Sequence, residues 1–200
     1  MDRSAVNQVI KDNVRENIAV KQEILSQMIQ PVAQAAEKLV DCLHGGGKLL
    51  FCGNGGSAAD AQHLAAELVV RLRSAVERPA LPALALTVDS SVLTAGGNDY
   101  GFTQVFSRQI EALGNPGDVL IAISTSGNSP NVIAAVETAR QKKIFVVGFL
   151  GGSGGKLAAL VDLPLTVPSH TTARIQESHI LIGHILCLLI EELLFEKPVR

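Results

Sequence analysis

The chain has 200 residues, of which 47% are hydrophobic and 18% charged, which excludes a disordered segment and suits one domain with a substantial core. Its 17 Lys and Arg against 19 Asp and Glu give a net charge of -2, and no basic block could neutralise a run of phosphates, so nucleic acid is not expected as a partner. Cys42, Cys52 and Cys187 are scattered and show no metal-type spacing, the N-terminus lacks a secretory pattern, and the most apolar stretch, 180–190, is too short to cross a bilayer and carries His184; a cytoplasmic protein with reduced thiols and no membrane partner is expected.

In chain order, Val6, Ile10, Val14, Ile18, Leu25 and Met28 recur at helical spacing and predict a long amphipathic first helix in need of a partner surface. Pro31 opens a second helix running to about Leu43, which Gly45, Gly46 and Gly47 end. Residues 1–44 therefore read as a helical extension of the same domain, making oligomer contacts, ahead of a core at 45–200.

From Lys48 onward, short apolar runs at 49–52, 84–88, 119–124, 144–149 and 163–167 alternate with helical segments at 58–72, 103–113, 130–142 and 156–160, and an apolar helix at 173–195 closes the chain. That alternation predicts an α/β fold with a five-stranded parallel sheet sandwiched by helices. In such a sheet, ligands bind beyond the carboxyl ends of the strands.

Two loops follow strands in a form suited to anions. Gly53, Asn54, Gly55, Gly56 and Ser57 lead from the first run into a helix, whose free N–H groups favour an anion; the same residues also make an ordinary turn with Ser57 as cap. After the third run come Ser124, Thr125, Ser126, Gly127, Asn128, Ser129 and Pro130. A capped turn accounts for Ser129 but gives Ser124, Thr125 and Ser126 no task, whereas a phosphate monoester would use them all. No Gly-Lys-Ser/Thr follows the glycines and Gly-x-Gly-x-x-Gly spacing is absent, so no nucleotide cofactor is expected.

His63 and Glu67 lie four residues apart, on one face of the helix after the first loop, as a ligand-facing pair or as a simple intrahelical contact. Gln176, His179 and His184 lie in the apolar last helix with Arg174 and Glu177 beside them, a combination that shifts the reading toward a site; His179 reads as structural or supporting.

The segments CGNGGSAADAQHLAAEL, GGNDYGF, GDVLIAISTSGNSPNVI and ARIQESHILIGHIL resemble those of bacterial phosphoheptose isomerases, members of the sugar-isomerase (SIS) domain family, over about residues 48–192. The resemblance implies a flavodoxin-like SIS domain and an aldose–ketose isomerisation of sedoheptulose 7-phosphate to D-glycero-D-manno-heptose 7-phosphate, opening the route to lipopolysaccharide heptose. It also implies a homotetramer with interfacial active sites. Carried over by position, Gly55, Gly56, Ser57, Ser124, Thr125, Ser126 and Ser129 would hold the phosphate end, while Asn54, Asn98, Asp99 and Gln176 would contact the sugar. Glu67, also against the substrate, and His184 would be the acid–base pair, and His63, Glu67, Gln176 and His184 would hold one zinc per subunit. Gln176 and His184 stand eight residues apart, about 12 Å along a helix, so their side chains must lean together to share one ion. Two other functions fit the same domain: a non-catalytic adaptor that binds the replication initiator protein, which departs from the enzymes at the carboxylate aligned with Glu67, and a sugar-phosphate sensor, which needs an effector domain.

Overall fold

In the computed structural model, which describes residues 2–195, the five apolar runs form the strands β1 (Leu49–Cys52), β2 (Ala83–Ala85), β3 (Val119–Ser124), β4 (Phe145–Gly151) and β5 (Leu163–Val167). All neighbours pair in parallel, in the order β2-β1-β3-β4-β5. The second strand is shorter than the run at 84–88, because Leu86 makes the last sheet-like bond, to the Phe51 carbonyl, before the chain turns.

The strands are apolar on both faces because both faces are covered, as parallel crossovers require. On one side Leu49, Phe51, Ile121, Ile123, Phe149 and Val167 meet the helices α2 (Ile29–His44), α3 (Gly56–Val69) and α7 (Thr172–Phe195). On the other side Leu50, Cys52, Leu120, Ala122 and Val146 meet α5 (Ser107–Leu113) and α6 (Pro130–Gln141). Each fully buried Leu, Ile or Phe contributes roughly 1.5–3 kcal/mol to this arrangement. Burial pushes the Cys52 and Cys187 thiols up to about 12 and Cys42 to about 11, so all three stay protonated and inert at neutral pH.

The first helix, α1 (Arg3–Gln27), is capped by Asp2, whose carboxylate accepts the Ala5 N–H at 2.7 Å. Only its end is buried, through Val20 and Ile24, whereas Val6, Val9, Ile10, Val14 and Ile18 are exposed. Polar bonds fix it to α7: Arg174 donates to Asn13 and pairs with Glu16 and Glu177, and Asn17 donates to Glu177 at 2.6 Å. Helix α2 begins at Ile29, two residues before Pro31, which still falls in the first turn where its missing N–H has no intrahelical partner to lose. One further helix, α4 (Ser90–Tyr100), occupies a stretch that the apolar periodicity left unassigned. It buries no residue, so it carries no apolar stripe; Asp89 starts it by accepting the Val92 N–H at 2.9 Å. The segment predicted as a helix at 156–160 is a single 3-10 turn, Lys156–Ala159.

Helices α3 and α7 run side by side in the same direction, touching from Gly56 with Gln176, through Leu64 with Gly183, to Leu72 with Glu191. A Cβ on Gly183 would lie 2.5 Å from the Leu64 side chain, so the glycine sets the separation of the two helices. The 24 residues of α7 are long and apolar enough to cross a membrane by composition, yet the helix lies against α2, α3, β4 and β5 with His179 and Glu191 fully buried. It is the central core helix.

Gly183→Ala is expected to lower stability by about 1–3 kcal/mol through overpacking against Leu64, seen as a lower urea midpoint with an unchanged slope. His179 supplies a pH-dependent term. Its Nε2 donates to the Leu150 carbonyl at 2.9 Å, and burial pushes its pKa from 6.5 down to about 4. The unfolded chain therefore takes up this proton near pH 6.5 while the folded chain resists it to about pH 4, so the contribution is complete above 6.5 and is lost as the pH falls through 4. Unfolding free energy should drop by about 2 kcal/mol between pH 7 and 5 from this group, and His179→Gln should lack that part of the drop.

Candidate active site

The chain leaves β1 for β2 on one side and returns to β3 on the other, so the sheet order reverses between β1 and β3. Loops at such a switch point diverge and leave a crevice at the strand ends. The two loops with anion-binding form are the ones that open there, at 53–56 and 125–129.

Side chains tie these loops together. Asn54 and Asn131 form a reciprocal amide pair, each Nδ2 donating to the other's Oδ1 at 2.8 Å, which joins the first loop to the first turn of α6. Within the second loop Ser124 Oγ and Ser129 Oγ are 2.9 Å apart, and Asn128 donates through its backbone N–H to Ser126 Oγ and through Nδ2 to the Ser126 carbonyl. The Asn128 side chain also accepts the Lys156 N–H at 3.1 Å, and the Gly127 carbonyl accepts the Leu157 N–H. Gly127 has φ +63, and a Cβ there would lie 1.9 Å from the Gly154 carbonyl oxygen, so only glycine fits where the loop after β4 supports the serine loop.

Ser129 occupies the cap position of α6 with Pro130 after it, but its hydroxyl bonds Ser124 rather than a helix N–H. The expected side-chain cap is therefore absent, because the serine loop competes for that oxygen. Ser57 likewise is the second residue of α3, and Gly55 takes the cap position. Ser57 and Ser124 are buried, Thr125 and Ser129 half-buried, and Ser126, Gly55 and Gly56 exposed.

A second group of side chains gathers along the α3–α7 seam. His63 Nε2 lies 2.8 Å from His184 Nε2 and 3.2 Å from Glu67 Oε1, with the two imidazole rings edge to face. The helical spacing of His63 and Glu67 places both toward α7, and Gly183 lets His184 reach them. Two ring nitrogens and a carboxylate oxygen within 4.8 Å of one another form a donor set able to hold a metal ion. Asp60, one turn earlier on α3 and 5% exposed, accepts the Gln176 Nε2–H at 2.7 Å. Burial pushes the Asp60 carboxyl upward, opposed by that hydrogen bond and by the nearby His63 and His184.

The structure thus brings Asn54, Gly55, Gly56, Ser57, Ser124, Thr125, Ser126 and Ser129 to one crevice, and His63, Glu67 and His184 to one point on the neighbouring seam, with Gln176 beside Asp60 and against Gly56. Asn98 and Asp99 are not brought in: they lie exposed on α4, bonded to each other at 2.7 Å and, among the described residues, to none of the other candidates. Arg174 and Glu177 belong to the α1–α7 contact and His179 to the core under Phe149, so these three are structural. Sequence reasoning missed Asp60 and Asn131. The only signal for Asp60 was its place three residues before His63; Asn131, one residue after Pro130, resembles any polar residue of a first helical turn.

Comparisons with known proteins agree with this geometry. The SIS domain model matches residues 14–151, which includes the serine loop and reaches back into α1. Phosphoheptose isomerases from Trichlorobacter lovleyi and Aneurinibacillus thermoaerophilus are 53% and 51% identical, covering 93% and 96% of this chain and 94% and 97% of their own length. The structure of a phosphoheptose isomerase from Neisseria gonorrhoeae superposes with a TM-score of 0.88 at 49% identity, over 94% of this chain and 99% of that one. One from Francisella tularensis gives 0.90 at 43% identity, over 94% and 98%. A serine-lined crevice beside a His–Glu–His cluster, on this sheet and at this level of identity, places the chain in the SIS-domain family and, within it, among the phosphoheptose isomerases.

Proposed function

We propose that the protein isomerises sedoheptulose 7-phosphate to D-glycero-D-manno-heptose 7-phosphate through an enediol. The observation that carries this reading is the convergence of Glu67 and His184, through His63, beside a hydroxyl-lined crevice at the switch point. Ser57, Ser124, Thr125, Ser126 and Ser129 hold the phosphate without a basic patch, as hydroxyls can. Asn54 and Gln176 from the crevice take the sugar hydroxyls, whereas Asn98 and Asp99, which α4 holds away from the crevice of their own chain, would reach the sugar only in a site completed by a second subunit.

Moving the carbonyl from C2 to C1 needs one proton off carbon and one back on its neighbour. Glu67 accepts the C1 proton, the released electron pair forms the C1–C2 double bond, and His184 gives a proton to the C2 oxygen. His184 then recovers a proton from the C1 hydroxyl as that carbonyl forms, and Glu67 returns its proton to C2. Charge and protons balance with no redox cofactor and no nucleotide.

His63, Glu67 and His184 also suit zinc, with Gln176 as a fourth ligand; an ion there would occupy His184 Nε2 and lower the basicity of Glu67, so metal binding and proton transfer compete for these two side chains. Tetrahedral ligands at about 2.0–2.2 Å from zinc stand about 3.3 Å apart, and the observed 2.8 and 3.2 Å separations need only a slight opening. Bound there, the ion would act as a Lewis acid on the carbonyl and enediolate oxygens.

The exposed apolar residues of α1 and the unburied α4 support a homotetramer with sites between subunits, residues 1–44 serving as the oligomer-contact extension of the one domain. The cytoplasm is the compartment that suits three buried thiols without disulfides. The adaptor reading lacks support, since the carboxylate it would dispense with is present and faces His63.

Glu67→Gln is expected to lower kcat by about 10²–10⁴ while the tetramer persists, measured by conversion of sedoheptulose 7-phosphate to the aldose; normal turnover would remove the base assignment. Chelation should slow wild-type turnover and added zinc should restore it. Full activity in protein shown to be free of metal would remove the zinc assignment but leave Glu67 and His184 in place.

A further inference from the structure

Besides Glu191, whose oxygens are bonded to Leu72, Arg73 and Arg78, the α3–α7 seam holds a second buried carboxylate that the isomerisation does not use. Asp60 is 5% exposed, its Oδ1 accepts from Gln176 Nε2 at 2.7 Å, and its Oδ2 is buried with no hydrogen-bond partner. A buried carboxylate oxygen without a donor costs stability, and a packed apolar residue here would avoid that cost.

The arrangement makes sense from the side of Gln176. A side-chain amide carries a donor end and an acceptor end that are nearly isosteric, so its orientation is set by what it faces. A carboxylate can only accept, so Asp60 takes the NH₂ end and turns the carbonyl end away. Among the described residues no donor engages Gln176 Oε1, which is left as a free acceptor. Gly56 supports the other side of the amide: a Cβ there would lie 3.3 Å from Gln176 Cγ. Asp60 and His63 are three residues apart on one face of α3, about 4.5 Å in helical rise, so the amide held by Asp60 lies one turn from the His63, Glu67 and His184 donor atoms.

We infer that Asp60 is a positioning residue that locks the Gln176 amide with Oε1 presented to a metal ion held by His63, Glu67 and His184. The inference rests on the zinc reading above, and it assigns Asp60 the role that outer carboxylates play for ligating histidines: fixing which atom of a neutral ligand faces the ion. It also explains why a poor ligand such as Gln can serve. An amide free to flip offers its donor end to the cation in a share of its orientations, whereas a locked one offers only oxygen.

The test is zinc affinity of the full-length protein, measured by competition with a chromophoric chelator, for wild type, Asp60→Ala, Asp60→Asn, Gln176→Ala and the Asp60→Ala/Gln176→Ala double variant, with the melting temperature of each metal-free protein as a fold control. Asp60→Ala should weaken zinc binding about 10–100-fold, and Asp60→Asn, which can still present an oxygen, should lose less. Because Asp60 acts only through Gln176, the double variant should bind no more weakly than Gln176→Ala. Metal-free Asp60→Asn should melt no lower than wild type, since it removes a buried charge. Full zinc affinity in Asp60→Ala, or independent additive losses in the double variant, would overturn the inference while leaving the metal site in place. Failure of wild type to bind one zinc per chain would remove the metal site and this role together.

Discussion

The contact on which the site depends is the approach of α7 to α3 at Gly183 and Leu64. His63 and Glu67 come from one helix and His184 from another more than a hundred residues away, and neither helix alone brings a carboxylate and two imidazoles to one point. With no side chain at Gly183, the next residue, His184, comes within 2.8 Å of His63. Apolar contacts fix the distance between helices but allow them to slide along each other, since the burial of Leu64 or Ile182 changes little with a small shift. Directional bonds at both ends of the seam remove that freedom. At one end Asp60 holds Gln176; at the other, fully buried Glu191 accepts from the Leu72 N–H, Arg73 Nε and Arg78 Nε. Burial alone would raise the Glu191 carboxyl, but the hydrogen bonds from Arg73 and Arg78 overcome it and hold the group below its usual range. Such a cluster adds little net stability relative to an apolar one, and its contribution is to longitudinal register.

The serine crevice solves a different problem. A chain of net charge -2 with no lysine or arginine among its crevice residues would have to bind a dianion by preorganised dipoles instead of by opposite charge. That requires hydroxyls and N–H groups already aimed, because a neutral donor that must reorganise gives up most of its small advantage over water. The bonds that fix the loop serve this: the Asn54–Asn131 pair sets the spacing of the two loops, and Asn128 closes the serine turn onto the Lys156 N–H. The absence of a side-chain cap on α6 fits the same arrangement, since the Ser129 hydroxyl faces Ser124 instead of the helix N–H groups.

Much of this was legible in the sequence, for reasons that also mark what was not. Strands buried on both faces appear as unbroken apolar runs, so three of the five strands match to the residue: 49–52, 119–124 and 163–167. Helix α4 escaped because a helix with no buried face has no period to detect; its cap at Asp89 was the only local signal. In the site, residues with a rare chemistry for their setting stood out, as with three hydroxyls after a strand or a histidine in an apolar helix. Asp60 and Asn131 did not, since their role lies in partners 116 and 77 positions away. Arg174 and Glu177 erred in the opposite direction. Their charges beside His179 and His184 suggested chemistry, whereas a charged pair facing α1 serves to dock that helix.

That docking bears on how the chain completes itself. Arg174, Glu177 and Lys21, which donates to Ser178 at 2.7 Å, hold α1 against α7 by polar bonds along one side, while the apolar residues Val6, Val9, Ile10, Val14 and Ile18 remain uncovered. An isolated helix needs an apolar face to stabilise it, and here the burial within one chain is confined to Val20 and Ile24 at its end. The polar bonds therefore aim α1 more than they stabilise it, leaving its apolar residues directed away from its own core. Since the same α7 carries Gln176 and His184 on its other contacts, any surface that covers α1 acts on the helix that bears the site. Burial of α1 and the rigidity of the α3–α7 seam are in this way two demands on a single helix.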